Sequence, residues 1–185
     1  MHPVATQKDH ITDFSILNAL GQFLQRLGER FDHPVKFYLL GGSALCLLGS
    51  PRETLDVDYA LEPASFEIEQ ILKGLSGELR LDLEAVPLAK FIPLPPNVEK
   101  RHRFLGSYGQ VDVYIYDLYS IALSKIARGF ESDLEDVEFL LRQRLIEWGE
   151  LEEHFKSILP RAKKADIDPQ EFETYFNTLK QRMGR

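Results

Sequence analysis

The segment 39–45 (LLGGSAL) constrains the fold of this chain more than any other part of its sequence. Residues 37–40 are aromatic and aliphatic, which predicts a buried strand. Gly41 and Gly42 follow at once, and glycine lets a backbone turn sharply and approach a ligand closely. Ser43 then opens a short apolar helix, whose free N–H groups can receive an anion. The segment therefore predicts a strand, a tight turn and a helix around a phosphate.

A second segment, 52–59 (RETLDVDY), carries two aspartates in a predicted strand. Apolar residues alternate with Asp56 and Asp58, so a period of two places both carboxylates on one face. Neighbouring carboxylates repel each other unless a cation lies between them, and their hard oxygen atoms suit Mg²⁺. A lone Gly-Gly is usually a simple turn and a lone Asp-x-Asp a solvated strand face. A Gly-Gly turn followed closely in the chain by an Asp-x-Asp strand is a more specific pattern, and it points to nucleotide chemistry.

In this order, the motifs resemble the DNA polymerase β-type nucleotidyltransferase superfamily, and in particular its small, minimal members. The stretch Arg52-x-Thr54-x-Asp56-Val57-Asp58 is similar to the R-x-T-x-D-[IV]-D form of bacterial branches. A second match spans residues 120–137. It is similar to the LA-x-x-K-x-x-R … KD-x-x-D segment of uncharacterised minimal nucleotidyltransferases related to the AbiEii toxins of toxin–antitoxin systems. The last roughly 40 residues match neither pattern.

The resemblance implies a metal site for Mg²⁺. Asp56 and Asp58 would bridge the ions, and a neighbouring strand would add a third carboxylate. Asp112 fits that position by strand parity. The alternative is that Asp112 is a solvent-facing strand residue and that Asp133 or Asp136 completes the site. Catalysis would then rest on these three aspartates together with Lys125.

The resemblance also implies a set of nucleotide contacts. Arg52 would contact phosphate or pair with an aspartate. Lys125 lies in an apolar helix, where an amine needs a partner; it would meet phosphate or form a salt bridge to Asp133 or Asp136. The residues predicted to bind the nucleotide are Gly41, Gly42, Ser43, Arg52, Thr54, Lys125 and Arg128.

Composition sets broad limits on this chain of 185 residues. The contents of 44% hydrophobic and 28% charged residues are ordinary for a globular protein. No apolar run reaches membrane-spanning length, and residues 1–10 lack a signal-peptide core. The single cysteine, Cys46, cannot form an internal disulfide. These features predict a cytoplasmic protein that makes no membrane contact.

The net charge of −7 argues against broad nucleic-acid affinity, because such affinity depends on many contacts from Lys and Arg to phosphate. Two local basic patches remain, at 100–103 and at 161–164. The first lies in a stretch, 92–109, that is rich in proline and is predicted to form a long loop. Long loops inside a compact domain are often functional, which draws attention to Lys100, Arg101 and Arg103.

Periodicity predicts an α/β (α+β) fold, with a mixed sheet followed by a helical C-terminal part. We place a catalytic domain at 1–116 and a helical subdomain at 117–185. Ser65 and Asp133 are predicted N-caps. Besides the two motif strands, the predicted strands are 81–88 and 110–116, and the predicted helices include 13–31, 65–75, 147–159 and 169–182.

The leading functional hypothesis is a Mg²⁺-dependent nucleotidyltransferase that moves NMP from an NTP to a hydroxyl acceptor. The resemblance to AbiEii-like proteins implies a toxin role, with tRNA or a protein as acceptor and a cognate antitoxin as partner. Two alternatives stay open. One is a nucleotide-binding or partner-binding module without turnover, and the other is a small-molecule adenylyltransferase of the aminoglycoside type.

Overall fold

The computed structural model describes residues 12–54 and 56–185. Its centre is a five-stranded mixed sheet in the order β3-β2-β1-β5-β4. The β1–β5 and β2–β3 pairs are parallel, and the β1–β2 and β4–β5 pairs are antiparallel. The strands are β1 (Val35–Leu39), β2 (Asp56–Glu62), β3 (Asp82–Ala85), β4 (Arg103–Tyr108) and β5 (Val111–Ile115).

Helices alternate with the first strands and then follow alone. The early ones are α1 (Thr12–Arg30), α2 (Gly41–Leu47), α3 (Phe66–Leu79) and α4 (Leu88–Phe91). The later ones are α5 (Leu118–Arg128), α6 (Glu131–Arg142), α7 (Trp148–Ile158) and α8 (Pro169–Arg182). Short 3₁₀ helices occupy Val98–Lys100 and Leu159–Ala165. The predicted fold class, a mixed sheet with helices and a helical C-terminal part, is confirmed. The boundary at 116/117 stays a prediction.

One face of the sheet forms the main core. Phe37 of β1 and Val113 of β5 are completely buried there, and the rings of Phe23 in α1 and Phe37 lie 5.6 Å apart. The N-terminus of α3 is capped as predicted, because the Ser65 hydroxyl accepts a hydrogen bond from the N–H of Ile68. Removal of the apolar side chains of this core from water supplies the main driving force for folding. The opposite face carries Asp58.

Three local predictions are wrong. The stretch 92–109 is not a continuous loop, because β4 occupies its second half as an edge strand. A register shift between Phe104 and Gly106 hides the alternation that would have revealed this strand. The third strand ends at Ala85 and gives way to α4. Helix α6 begins at Glu131, so Asp133 lies inside it and is not its N-cap.

The described residues include no helix with the length and apolarity needed to cross a membrane. Leu55, one of the apolar residues predicted to alternate with Asp56 and Asp58, lies outside the described residues.

Candidate active site

The glycine turn packs directly against the second strand. Gly41 has a φ of +58°, a conformation that favours glycine, and a Cβ at this position would overlap the carboxylate of Asp58. A Cβ at Gly42 would lie 2.9 Å from Oγ1 of Thr54. The N–H of Leu40 donates to the carbonyl of Asp58 over 2.9 Å. Both glycines are therefore needed to bring the turn against the aspartate strand.

Three carboxylates meet beside this turn. Asp56, Asp58 and Glu84 each offer one oxygen atom, and these atoms lie within 4.8 Å of one another. Glu84 joins the group because β3 runs parallel to β2 with Glu84 paired to Asp58. The hydroxyl of Thr54 donates to Asp56 over 2.7 Å and fixes that carboxylate. Within the described part of the chain, no Lys or Arg forms an ion pair with any of the three carboxylates.

The charge of this cluster acts on Asp58. Burial raises the pKa of the Asp58 carboxyl, and the negative charges of Asp56 and Glu84 raise it further. Lys125 and Arg128 act in the opposite direction, which places positive charge near the same carboxylate. A divalent cation would remove the repulsion, and three carboxylate oxygens are the ligand chemistry that suits Mg²⁺ or Mn²⁺. The residues present therefore fit the metal that the sequence predicted.

Substitution Asp58→Asn is expected to stabilise the metal-free protein at pH 7. Because the pKa of Asp58 is raised in the folded state, its ionised carboxylate lowers the stability of the folded protein above that pKa. Below the pKa of the unfolded state, about 3.9, the carboxyl is protonated in both states and the penalty disappears. The gain in unfolding free energy should therefore shrink as the pH falls through this window. Urea unfolding in chelator, from pH 7 to pH 3.5, measures it. A variant that is less stable than wild type at pH 7 would contradict the repulsion.

Asp112 does not join the cluster, so its predicted place as the third carboxylate is wrong. On β1, Asp112 is paired with Lys36, whereas Asp58 lies beside Leu40. Four residues of strand separate these positions, or roughly 13 Å at 3.3 Å per residue. The face was predicted correctly, but the position along the sheet was not. Asp112 instead accepts a hydrogen bond from the Ser107 hydroxyl over 2.5 Å.

A network of ion pairs between two helices and the segment before β2 places positive charge beside the carboxylate cluster. Lys125 is 4% exposed, and its Nζ lies 2.7 Å from Asp136 and 3.3 Å from Asp133. Arg128 donates to Asp133 over 2.5 and 3.0 Å, and Arg52 donates to Asp136. The predicted salt bridges of Lys125 and the predicted pairing of Arg52 with an aspartate are thus present. Three cations against two carboxylates leave the network with one excess positive charge.

Ser43 and Arg52, both predicted to contact phosphate, differ in whether they line the cleft. Ser43 is 1% exposed, and its hydroxyl donates to the carbonyl of Leu40 over 3.2 Å, so this side chain points into the turn and does not line the site. Nε of Arg52 is buried without a hydrogen-bond partner among the described residues. It would lie 3.3 Å from a Cβ at Gly42. An unsatisfied buried donor beside a glycine turn is suited to an anion.

These groups surround one cleft of about 520 Å³, within the size range of small-molecule sites. The polar residues that line it include every predicted site residue except Ser43 and Asp112. They are Gly41, Gly42, Arg52, Thr54, Asp56, Asp58, Glu84, Ser124, Lys125, Arg128 and Asp166. The structure thus gathers a glycine turn, the cluster of Asp56, Asp58 and Glu84, a further carboxylate and three cations around one small-molecule cavity.

The basic cluster at 100–103 is tied into the fold. Arg101 forms two hydrogen bonds with Asp117, which is completely buried at the N-terminus of α5. Arg103 donates to the carbonyl of Leu145 over 2.7 Å. Two of the three arginine and lysine side chains singled out there are therefore engaged in structural contacts. Substituting Arg101 would therefore leave the buried carboxylate of Asp117 without its cationic partner and would destabilise the fold.

Comparison with known proteins identifies the family of this chain. A family model described as "nucleotidyltransferase of unknown function (DUF6036)" matches residues 15–183, so the chain belongs to that family. A solved structure of an antigenic nucleotidyltransferase-like protein from Paracoccidioides brasiliensis is similar at 16% identity and a TM-score of 0.45. The similarity covers 92% of this chain and 88% of that one. No curated protein sequence matches significantly.

Sequence reasoning missed Glu84. The signal was present, because Asp82 and Glu84 alternate with Leu81 and Leu83 in the predicted third strand, as Asp56 and Asp58 alternate with apolar residues in the second. What the sequence lacked was the pairing of these two acidic strands side by side.

Proposed function

We propose that this protein is a Mg²⁺-dependent nucleotidyltransferase that moves NMP from an NTP to a hydroxyl acceptor. The observation that carries the proposal is the convergence of Asp56, Asp58 and Glu84 with the Gly41–Gly42 turn and three cations in one cleft. Family membership supports the reaction class. Neither a Gly-Gly turn nor an acidic pair would suffice alone, and their combination supplies each part that the reaction needs.

The carboxylates would hold the metal ions, and Arg52, Lys125 and Arg128 would face the triphosphate. Bound Mg²⁺ would neutralise the phosphates and stabilise both the attacking and the leaving oxygen. The acceptor oxygen forms a bond to the α-phosphorus while the bond to the pyrophosphate oxygen breaks. The hydroxyl proton passes to a carboxylate of the cluster. Positioning and charge neutralisation account for most of the rate enhancement in such reactions.

The phosphate contacts require an exchange of partners. Lys125 and Arg52 both bind Asp136, and Arg128 binds Asp133. A triphosphate would compete with these aspartates for the cations, and the unsatisfied Nε of Arg52 offers a donor that needs no exchange. The network alone carries one excess positive charge, and metal ions held by Asp56, Asp58 and Glu84 would offset the negative charge of these carboxylates, so that the cleft could accept an anionic ligand.

The test is transfer of label from each α-³²P-labelled NTP, with Mg²⁺, to three acceptor pools: total tRNA, cell protein and an aminoglycoside. We expect label in one pool, and none with Asp56→Asn/Asp58→Asn. Nucleotide binding without transfer to any pool or to cell extract would instead indicate a non-catalytic binding module. Absence of both binding and transfer would contradict the proposal.

The toxin role is a further part of this proposal and rests on the resemblance of residues 120–137 to AbiEii-like proteins. Expression of the wild type would then arrest growth, whereas the Asp56→Asn/Asp58→Asn variant would not. Release from arrest by a co-expressed neighbouring gene would identify the antitoxin. Unimpaired growth with active wild-type enzyme would separate the transferase activity from toxicity.

A further inference from the structure

The residues that line the cleft fall into two chemically different groups. The carboxylates, the glycine turn and the cations form a charged group that suits the metal and the phosphates. The second group is apolar and comes from three parts of the chain. Its main residues are Val86, Leu88, Phe91, Ile121, Ala127 and Ile167. Holding the metal and the phosphates does not need this apolar group, so it is available to another part of the ligand.

Phe91 is the largest side chain of the apolar group. It is the one aromatic residue among the described residues that line the cleft, and it is 56% exposed although it is large and apolar. Its backbone is held firmly, since Leu88 is 6% and Ile92 only 1% exposed, and the N–H of Ile92 donates to the carbonyl of Leu88 over 3.1 Å. The ring is thus presented to the cleft by an anchored turn of helix.

One short segment carries residues of both groups. Residues 84–91 begin with Glu84 in the carboxylate cluster, continue through Val86 and Leu88 and end at Phe91. A ligand with a charged part beside Glu84 would therefore extend along this segment toward the aromatic ring. An NTP has this polarity, with a triphosphate at one end and a flat aromatic base at the other.

We propose that the apolar residues around Phe91 form the nucleobase site, with Phe91 as the platform on which the base stacks. The inference rests on the proposed function, because it assigns a part of the same substrate. Stacking on an aromatic side chain is tolerant of base identity, since every base has a π-face. Phe91 thus contributes affinity for nucleotides over bare polyphosphate.

The experiment compares binding of each NTP and of inorganic tripolyphosphate, all with Mg²⁺, by isothermal titration calorimetry. Wild type should bind NTPs more tightly than tripolyphosphate. Phe91→Ala should weaken NTP binding about tenfold, within the range that stacking contributes per base, and leave tripolyphosphate binding unchanged. Phe91→Tyr should keep nearly full affinity. Phe66→Ala is the matched control, because Phe66 is 76% exposed and lies outside the cleft.

Each other outcome is decisive. If Phe91→Ala binds NTPs like wild type, or if wild type does not prefer NTPs to tripolyphosphate, the base site is overturned while the proposed function survives. Equal weakening of NTP and tripolyphosphate binding by Phe91→Ala would show that the ring only supports the shape of the cleft, which also overturns it. Failure of wild type to bind either ligand would remove both the base site and the proposed function.

Discussion

Glu84→Gln is expected to lower nucleotidyl transfer at least about a hundredfold and to weaken Mn²⁺ binding, with the fold intact. The substitution replaces one of the three carboxylates that would hold the metal with a neutral amide. A bound metal supplies several kcal/mol of transition-state stabilisation. Since about 1.36 kcal/mol corresponds to a factor of ten in rate, losing part of this stabilisation accounts for the expected decrease. The fold should survive because Glu84 is exposed and forms no ion pair among the described residues. Label-transfer rates and calorimetric Mn²⁺ titration measure the two effects.

Asp112→Asn is the matched control, because it also replaces a strand carboxylate by an amide on the same face of the sheet. Its amide oxygen can still accept the hydrogen bond from Ser107. We expect wild-type transfer and metal binding. The reverse result, with Asp112→Asn inactive and Glu84→Gln active, would mean that the cluster of Asp56, Asp58 and Glu84 is not the metal site.

The parts of the site that sequence predicted are those fixed by local geometry. Alternation in a strand determines which residues share a face, so Asp56 and Asp58 were placed together correctly. The Gly41–Gly42 turn was also predictable, because few other residues allow a positive φ and close packing against a strand. Both inferences depend on neighbours within a few positions along the chain.

The third carboxylate depended on strand order and register, which are long-range properties. Parity placed Asp112 on the correct face but could not say that it pairs with Lys36, at the far end of β1 from Asp58. Likewise, nothing near Glu84 in sequence says that β3 lies parallel beside β2. The same limit explains the missed edge strand β4, whose register shift at Gly106 breaks the period of two.

The buried ion network joins segments far apart in the chain. Arg52 precedes β2, whereas Asp136 lies in α6, 84 residues later. Lys125 of α5 forms ion pairs with both Asp133 and Asp136 of α6. Because a buried charge without a partner is costly, the network fixes how the C-terminal helices sit against the aspartate strand. The sequence resemblance indicated these residues, but only the fold shows that they hold the cleft together.

Asp136→Ala is therefore expected to destabilise the protein by about 3 kcal/mol, the lower end of the cost of breaking a buried ion pair. The side chain of Asp136 is 7% exposed and is the shared acceptor for Arg52 and Lys125. Without it, Lys125 keeps only Asp133 at 3.3 Å, and Arg52 loses its carboxylate. Urea unfolding at neutral pH measures the change in unfolding free energy.

Arg128→Ala provides the comparison within the same network. The side chain of Arg128 is 62% exposed, so its ion pair with Asp133 is screened by solvent, and Asp133 retains Lys125. The expected loss is less than about 1 kcal/mol. If Asp136→Ala costs no more than Arg128→Ala, the network does not stabilise the junction between the sheet and the helices. Its charges would then be held for the ligand alone, and Asp136→Ala would change NTP affinity without changing unfolding.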